Sequence, residues 1–186
     1  MPSHFLRFHS CLRLGFAAFV VLFASLVVMG QPAAGAAINQ KAHALTDLRD
    51  KQRALLVVFK SRVISVEDRD RAIIEDVLKA DPKPNGRYRW VYNDMAKKLN
   101  KYIRKYGSLT SAADFTDAEY VIFFNVVEFR RILNAIYPYG ELFVIIKGSP
   151  QDLKPPRIVW RAKKVMVSTD AIGDLIKDLK TLRGES

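Results

Sequence analysis

Between Tyr120 and Val127 the chain reads YVIFFNVV, an apolar stretch broken only by Asn125. A strand with one wet face alternates apolar and polar residues, whereas a strand without alternation needs cover on both faces. Residues 117–129 (DAEYVIFFNVVEF) therefore predict the central strand of a covered sheet. Two further runs have the same character: RALLVVFK from Arg53 to Lys60 and GELFVIIK from Gly140 to Lys147. Both are rich in aliphatic residues and bounded by charges, as buried strands are. Residues 156–167 (PRIVWRAKKVMV) begin with alternation. Ile158, Trp160 and Ala162 are expected on one face and Arg157, Arg161 and Lys163 on the other, which suits a strand at or near an edge.

Helices are read from spacing. Ser65-Val-Glu-Asp68 resembles a capping box with Ser65 as N-cap. Ile73, Ile74, Val77 and Leu78 follow at helical intervals until the breakers of Asp81-Pro-Lys-Pro-Asn-Gly86. Val91, Met95, Leu99, Tyr102, Ile103 and Tyr106 form the apolar stripe of a long helix, with Gly107 placed to cap its end. Lys97, Lys98, Lys101, Arg104 and Lys105 gather toward the carboxyl end of that helix, where its dipole favours cations. Ser168 is expected to cap a last helix that buries Ile172, Leu175, Ile176 and Leu179 and stops at Gly184. The order is β-α-α-β-β-β-α, an α/β fold. A long crossover predicts a parallel pair first, and short connections predict an antiparallel meander after it. The result is a single mixed sheet with helices packed on it.

The amino terminus carries a different signal. Arg7 and Arg13 precede an uninterrupted apolar run from Leu14 to Gly30, followed by small residues in which Ala34-Gly35-Ala36 fits a cleavage site. Residues 1–37 read as a signal peptide. The alternative is an uncleaved anchor to the inner membrane through residues 14–30, a run slightly short of the about 20 residues that span a bilayer. Either way the rest is exported, to the periplasm or beyond. The only cysteine, Cys11, precedes the apolar run, which disfavours a lipid anchor. Residues 38–52 read as a linker or short helix, and 53–186 as one α/β domain. The leader holds two of the 30 basic residues and none of the 19 acidic ones, which leaves 28 against 19, a charge of +9. Such an excess keeps a protein soluble and also draws it to anionic polymers or membrane surfaces.

Few enzymes can be built from what remains. After the leader there is no cysteine and one histidine, His43. Zinc sites of His and Cys and cysteine nucleophiles are excluded, and a serine triad would have to recruit His43. No phosphate-cradling glycine loop is present. No cofactor, metal site or catalytic residue is assigned. Two carboxylates suffice for glycoside hydrolysis, so a wall-glycan hydrolase is one alternative, but Glu119 and Glu128 mark the two ends of a strand. Tyr88, Trp90 and Tyr92 lie among basic residues, as in base-stacking surfaces, yet export argues against nucleic acid. A second alternative is a membrane-surface protein held by the basic helix 91–106.

The segment Arg130–Gly140 (RRILNAIYPYG) stands out, and is read as a loop. Tyrosine and arginine dominate interface hot spots, so Arg130, Arg131, Tyr137 and Tyr139 are the expected partner contacts. The competing reading is a connection folded back on the core. Residues 150–156 (PQDLKPP) read as a stiff surface loop.

Asp117-Ala-Glu-Tyr-Val-Ile122, Gly140-Glu-Leu-Phe-Val-Ile-Ile146, Arg157-Ile-Val-Trp160 and a closing helix from Ala171 to Leu182 come in an order that resembles a group of small bacterial envelope proteins. That group comprises domains similar to the TolB amino-terminal domain, the curli secretion-channel lipoprotein and the penicillin-binding-protein activator lipoprotein. The resemblance spans residues 53–183. It implies a periplasmic α/β domain that binds protein partners without catalysis. The chain departs from the group in lacking a lipidated cysteine, and Glu119 stands where the group has Asp. The expectation is an exported, non-enzymatic accessory protein that recognises an envelope protein or an anionic envelope polymer.

Overall fold

The computed structural model describes residues 45–62, 68–148 and 154–186. The leader, His43, the Ser65 capping box and residues 150–153 of the proline-rich loop lie outside them. The strands are β1 (Arg53–Phe59), β2 (Thr110–Ser111), β3 (Tyr120–Ile132), β4 (Ala135–Ile146), β5 (Arg157–Arg161) and β6 (Met166–Val167). The helices are α1 (Arg69–Lys79), α2 (Arg89–Tyr106) and α3 (Ser168–Arg183). One mixed sheet runs β2-β1-β3-β4-β5, with β6 also on β4. β1 pairs parallel with β2 and β3, and β3, β4 and β5 pair antiparallel. The parallel-then-antiparallel sheet read from the sequence is the one observed. β2 and β6, two residues each, are too short to leave a pattern.

Tyr120 to Phe124 are fully buried, and both faces of β3 are indeed covered. Tyr120, Ile122 and Phe124 face α2 and α3, meeting Val91, Met95, Leu99 and Tyr102 from the first helix and Ile172, Leu175 and Leu179 from the second. Val121 and Phe123 face α1 through Ile73 and Val77. Phe123 stacks between Phe59 at 4.6 Å and Phe143 at 6.1 Å. The strand is a continuous apolar run because it separates two cores.

Three local readings change. Ser168 is the first helical residue, buried, with no side-chain capping bond. α1 likewise starts without one at Asp68. The edge strand does not keep its alternation: Val144 pairs with Trp160, but its neighbour Ile145 pairs with Ile158, so Val159 is the extra residue of a bulge. One inserted residue reverses side-chain parity. Ile158 packs toward the α1 core, while Val159 and Trp160 join the other, where the Trp160 indole donates to Asp178 at 2.8 Å.

The stretch before β1 is fastened to the body. Leu48 is fully buried in the larger core. Arg183, at the end of α3, donates to the carbonyls of Lys51 at 2.6 Å and Leu48 at 3.2 Å, and to the carbonyl and hydroxyl of Ser108 at 2.7 and 3.1 Å. Its charge lies near the Tyr120 hydroxyl, whose pKa burial pushes well above the usual tyrosine range while Arg183 pulls the other way. The Glu119 carboxylate accepts the Gln52 and Arg53 N–H groups at 2.8 and 2.9 Å, fixing the start of β1 against β3.

Candidate protein-docking arm

Residues 130–140 are not a loop. β3 runs on to Ile132, turns through Leu133 and Asn134, and returns as β4 from Ala135. β1 stops pairing at Asn125 and β6 at Tyr139, so beyond the Glu128–Tyr139 pair the β3–β4 hairpin projects as a two-stranded arm. It reads as a loop because its apolar residues are no longer buried, and burial is what makes a strand periodic. The signal for it was present: Phe129, Ile132, Ile136 and Tyr137 suit a strand, and they flank a two-residue connection.

A bulge at Val127 resets which residues share a face, because Val126 pairs with Gly140 and Glu128 with Tyr139. Residues directly opposed across strands lie on the same face. Glu128, Arg130, Ile132, Tyr137 and Tyr139 therefore occupy one face, and Phe129, Arg131, Ile136 and Pro138 the other. Of the four expected contacts, three come together and Arg131 is separated from them. The Arg130 guanidinium lies 4.4 Å from the Tyr139 ring centroid and pairs with Glu128. On the opposite face Phe129 stacks on Tyr88 at 6.3 Å and meets Trp90 at 5.9 Å, bracing the base of the arm against the start of α2. The proposed stacking row of Tyr88, Trp90 and Tyr92 is broken, since Tyr88 is buried and Trp90 is exposed.

Farther out nothing covers the apolar side chains among the described residues. Ile132, Ile136 and Tyr137 are exposed, and Leu133 at the tip is 92% exposed. Leu133 also has φ +54°, a left-handed backbone that costs a residue with a Cβ about 1 kcal/mol. Exposed apolar groups gathered on one projection mark an interaction surface. Leu133→Asn, a residue that tolerates this conformation, is expected to raise unfolding stability by about 0.5–1 kcal/mol in urea denaturation. A loss instead would mean that the tip carries no strain.

The two edges of the arm differ. With a two-residue connection the closing pair Ile132–Ala135 exchanges backbone hydrogen bonds, and so does every second pair back from it. Phe129–Pro138 and Arg131–Ile136 are the pairs whose backbone groups point outward. Proline at 138 thus removes no bond within the hairpin and deletes a donor from the outer edge of β4. β6 covers the next stretch, at Tyr139 and Gly140. On β3 the outward N–H and C=O groups of Phe129 and Arg131 are intact, and no described strand pairs with them. One edge is blunted and the other is open.

Several acidic residues are engaged in structure. Glu141 pairs with Arg69, Asp47 with Arg157 and Asp70 with Arg161. Asp76 accepts the Ser61 hydroxyl at 2.5 Å and Asp114 holds a turn through the Thr116 and Asp117 N–H groups. Among the described residues no group of His, Cys, Asp and Glu could hold a metal ion, and no helix is long and apolar enough to cross a membrane. No family model, curated protein or solved structure matches the chain.

Proposed function

We propose that this chain is an exported, non-enzymatic envelope accessory protein that captures an extended segment of a partner protein along the open edge of β3. The arm carries the reading: exposed apolar side chains at its tip, and beneath them an unprotected row of backbone groups beside a protected one. Adding a strand to such an edge gives affinity through main-chain hydrogen bonds and selectivity through alternate side chains. Arg131 and Phe129 would read one face of the guest strand, Arg130 and Tyr137 the other. Residues 1–37 support export, and the resemblance to envelope domains supports the setting.

The test is a crosslinking pull-down from the native envelope. Replacing Arg130, Arg131, Tyr137 and Tyr139 together with alanine is expected to leave folding intact and abolish capture. Arg131→Pro deletes one outward donor without touching a bond inside the hairpin, so it should also lose capture, while Arg131→Ala retains most of it. Equal capture by the proline and alanine variants would overturn strand addition. Unchanged capture by the fourfold variant would remove the arm altogether.

A further inference from the structure

At the carboxyl end of β1, away from the arm's tip, an open cleft of about 1160 Å³ is bounded by the last residues of β1, the end of α1 and the loop that leads to α2. Five cations line it, Lys60, Arg62, Lys79, Lys83 and Arg87, against two carboxylates, Asp76 and Asp81. Both carboxylates are engaged: Asp76 accepts the Ser61 hydroxyl at 2.5 Å, and Asp81 accepts the Lys83 backbone N–H at 2.9 Å. Lys79 answers the negative end of the α1 dipole and leans on Glu75 at 3.8 Å. Lys60, Arg62 and the Lys83 ammonium form no ion pair among the described residues. Arg87 is held in place by Tyr88, donating to its hydroxyl at 2.9 Å with the guanidinium 5.0 Å from the ring centroid.

We propose that this cleft is a binding site for a ligand bearing several phosphate groups. The cations come from three segments, the end of β1, the end of α1 and the loop before α2, and converge on one concavity. The concavity lies outside the carboxyl end of β1, which runs parallel to β3, and open α/β sheets take their ligands at the carboxyl ends of parallel strands. With five cations against two carboxylates the cleft carries a net positive charge, which concentrates anions. Arginine adds planar donors matched to phosphate oxygens. The space far exceeds one phosphate group, so it has room for a chain of phosphates or a headgroup that carries more than one. The cleft adjoins the base of the arm, since Tyr88 lines it and stacks on Phe129, but none of its cations is among the arm residues assigned to the guest strand.

The experiment titrates the purified protein with tripolyphosphate at low salt by calorimetry, and in parallel measures its binding to cardiolipin vesicles, whose headgroup carries two phosphates. The variant Lys60→Gln/Lys83→Gln/Arg87→Gln is expected to weaken binding by about tenfold or more. A control, Lys101→Gln/Lys105→Gln on α2, removes nearly as much charge elsewhere and should change binding less than about twofold. Tripolyphosphate binding with this dependence assigns a soluble phosphate ligand. Vesicle binding with this dependence assigns a lipid headgroup. Equal weakening by both variants would overturn the site in favour of diffuse surface charge, and no binding of either probe would overturn it outright. Should the triple variant fail to fold, the wild-type protein suffices. Tripolyphosphate or the vesicles should protect Arg62 and Arg87, but not Arg104 on α2, from phenylglyoxal, read by mass spectrometry. Equal protection at all three sites, or none at any, overturns the proposal.

Discussion

Gly140→Ala is expected to cost the fold about 3 kcal/mol, the largest effect of any single methyl group added to the sheet. Gly140 sits on β4 opposite the bulge of β3, with the Phe124 ring lying over it. A Cβ at this position would stand 2.2 Å from the Asn125 carbonyl oxygen and 2.7 Å from the Phe124 ring. The first neighbour is backbone and the second is a fully buried side chain, so neither can yield without shifting β3 itself. Glycine is required here for close approach, not for an unusual φ. The measurement is a urea titration monitored by circular dichroism, in which the midpoint should fall sharply. Tyr139→Ala, one residue away and only partly buried, should cost less. A Gly140→Ala midpoint equal to that of the wild type would show that the two strands do not approach as closely as described.

Arg183→Met is the second large effect, about 2–3 kcal/mol. Methionine preserves much of the volume but supplies none of the donors. The carbonyls of Leu48, Lys51 and Ser108 would lose partners in a place water reaches poorly. The loss should also be local. Amide hydrogen exchange across residues 45–52 should accelerate more than exchange in β3, because Arg183 is one of the few ties on that stretch, beside Leu48, the Asp47–Arg157 pair and Glu119. A uniform change across both segments would mean that Arg183 acts on the whole fold and not as a clasp. Arg183→Lys should recover only part of the loss, since a single ammonium cannot span both sides.

The parts of the fold legible in the sequence are those where burial imposes a period. Tyr120 to Phe124 announced a strand covered on both faces, and the stripe from Val91 to Tyr102, with Gly107 behind it, announced α2 and its end. Where burial stops, the period stops with it. The arm reads as a loop because its residues from Ile132 to Tyr137 are exposed, and strand pairing leaves no mark on a single strand's sequence. The reversal at Val159 was hidden for another reason: a bulge changes parity without changing composition. Tyrosine and arginine did point to the arm as a surface. They could not tell which of them share a face, since that depends on the extra residue at Val127. The cleft was less visible still. Lys60, Arg62, Lys83 and Arg87 lie on either side of a helix in the chain, and only the fold makes them neighbours.

Pro138 bears on how far any assembly through the arm can grow. A hairpin with two receptive rails can accept a guest on each side and be extended without end, the route by which exposed strands seed fibres. Here the β4 rail lacks a donor and is followed at once by β6, so only the β3 rail would be open to the partner strand proposed above. Under the proposed strand addition each arm would take one visitor, and self-threading through both rails would be disfavoured.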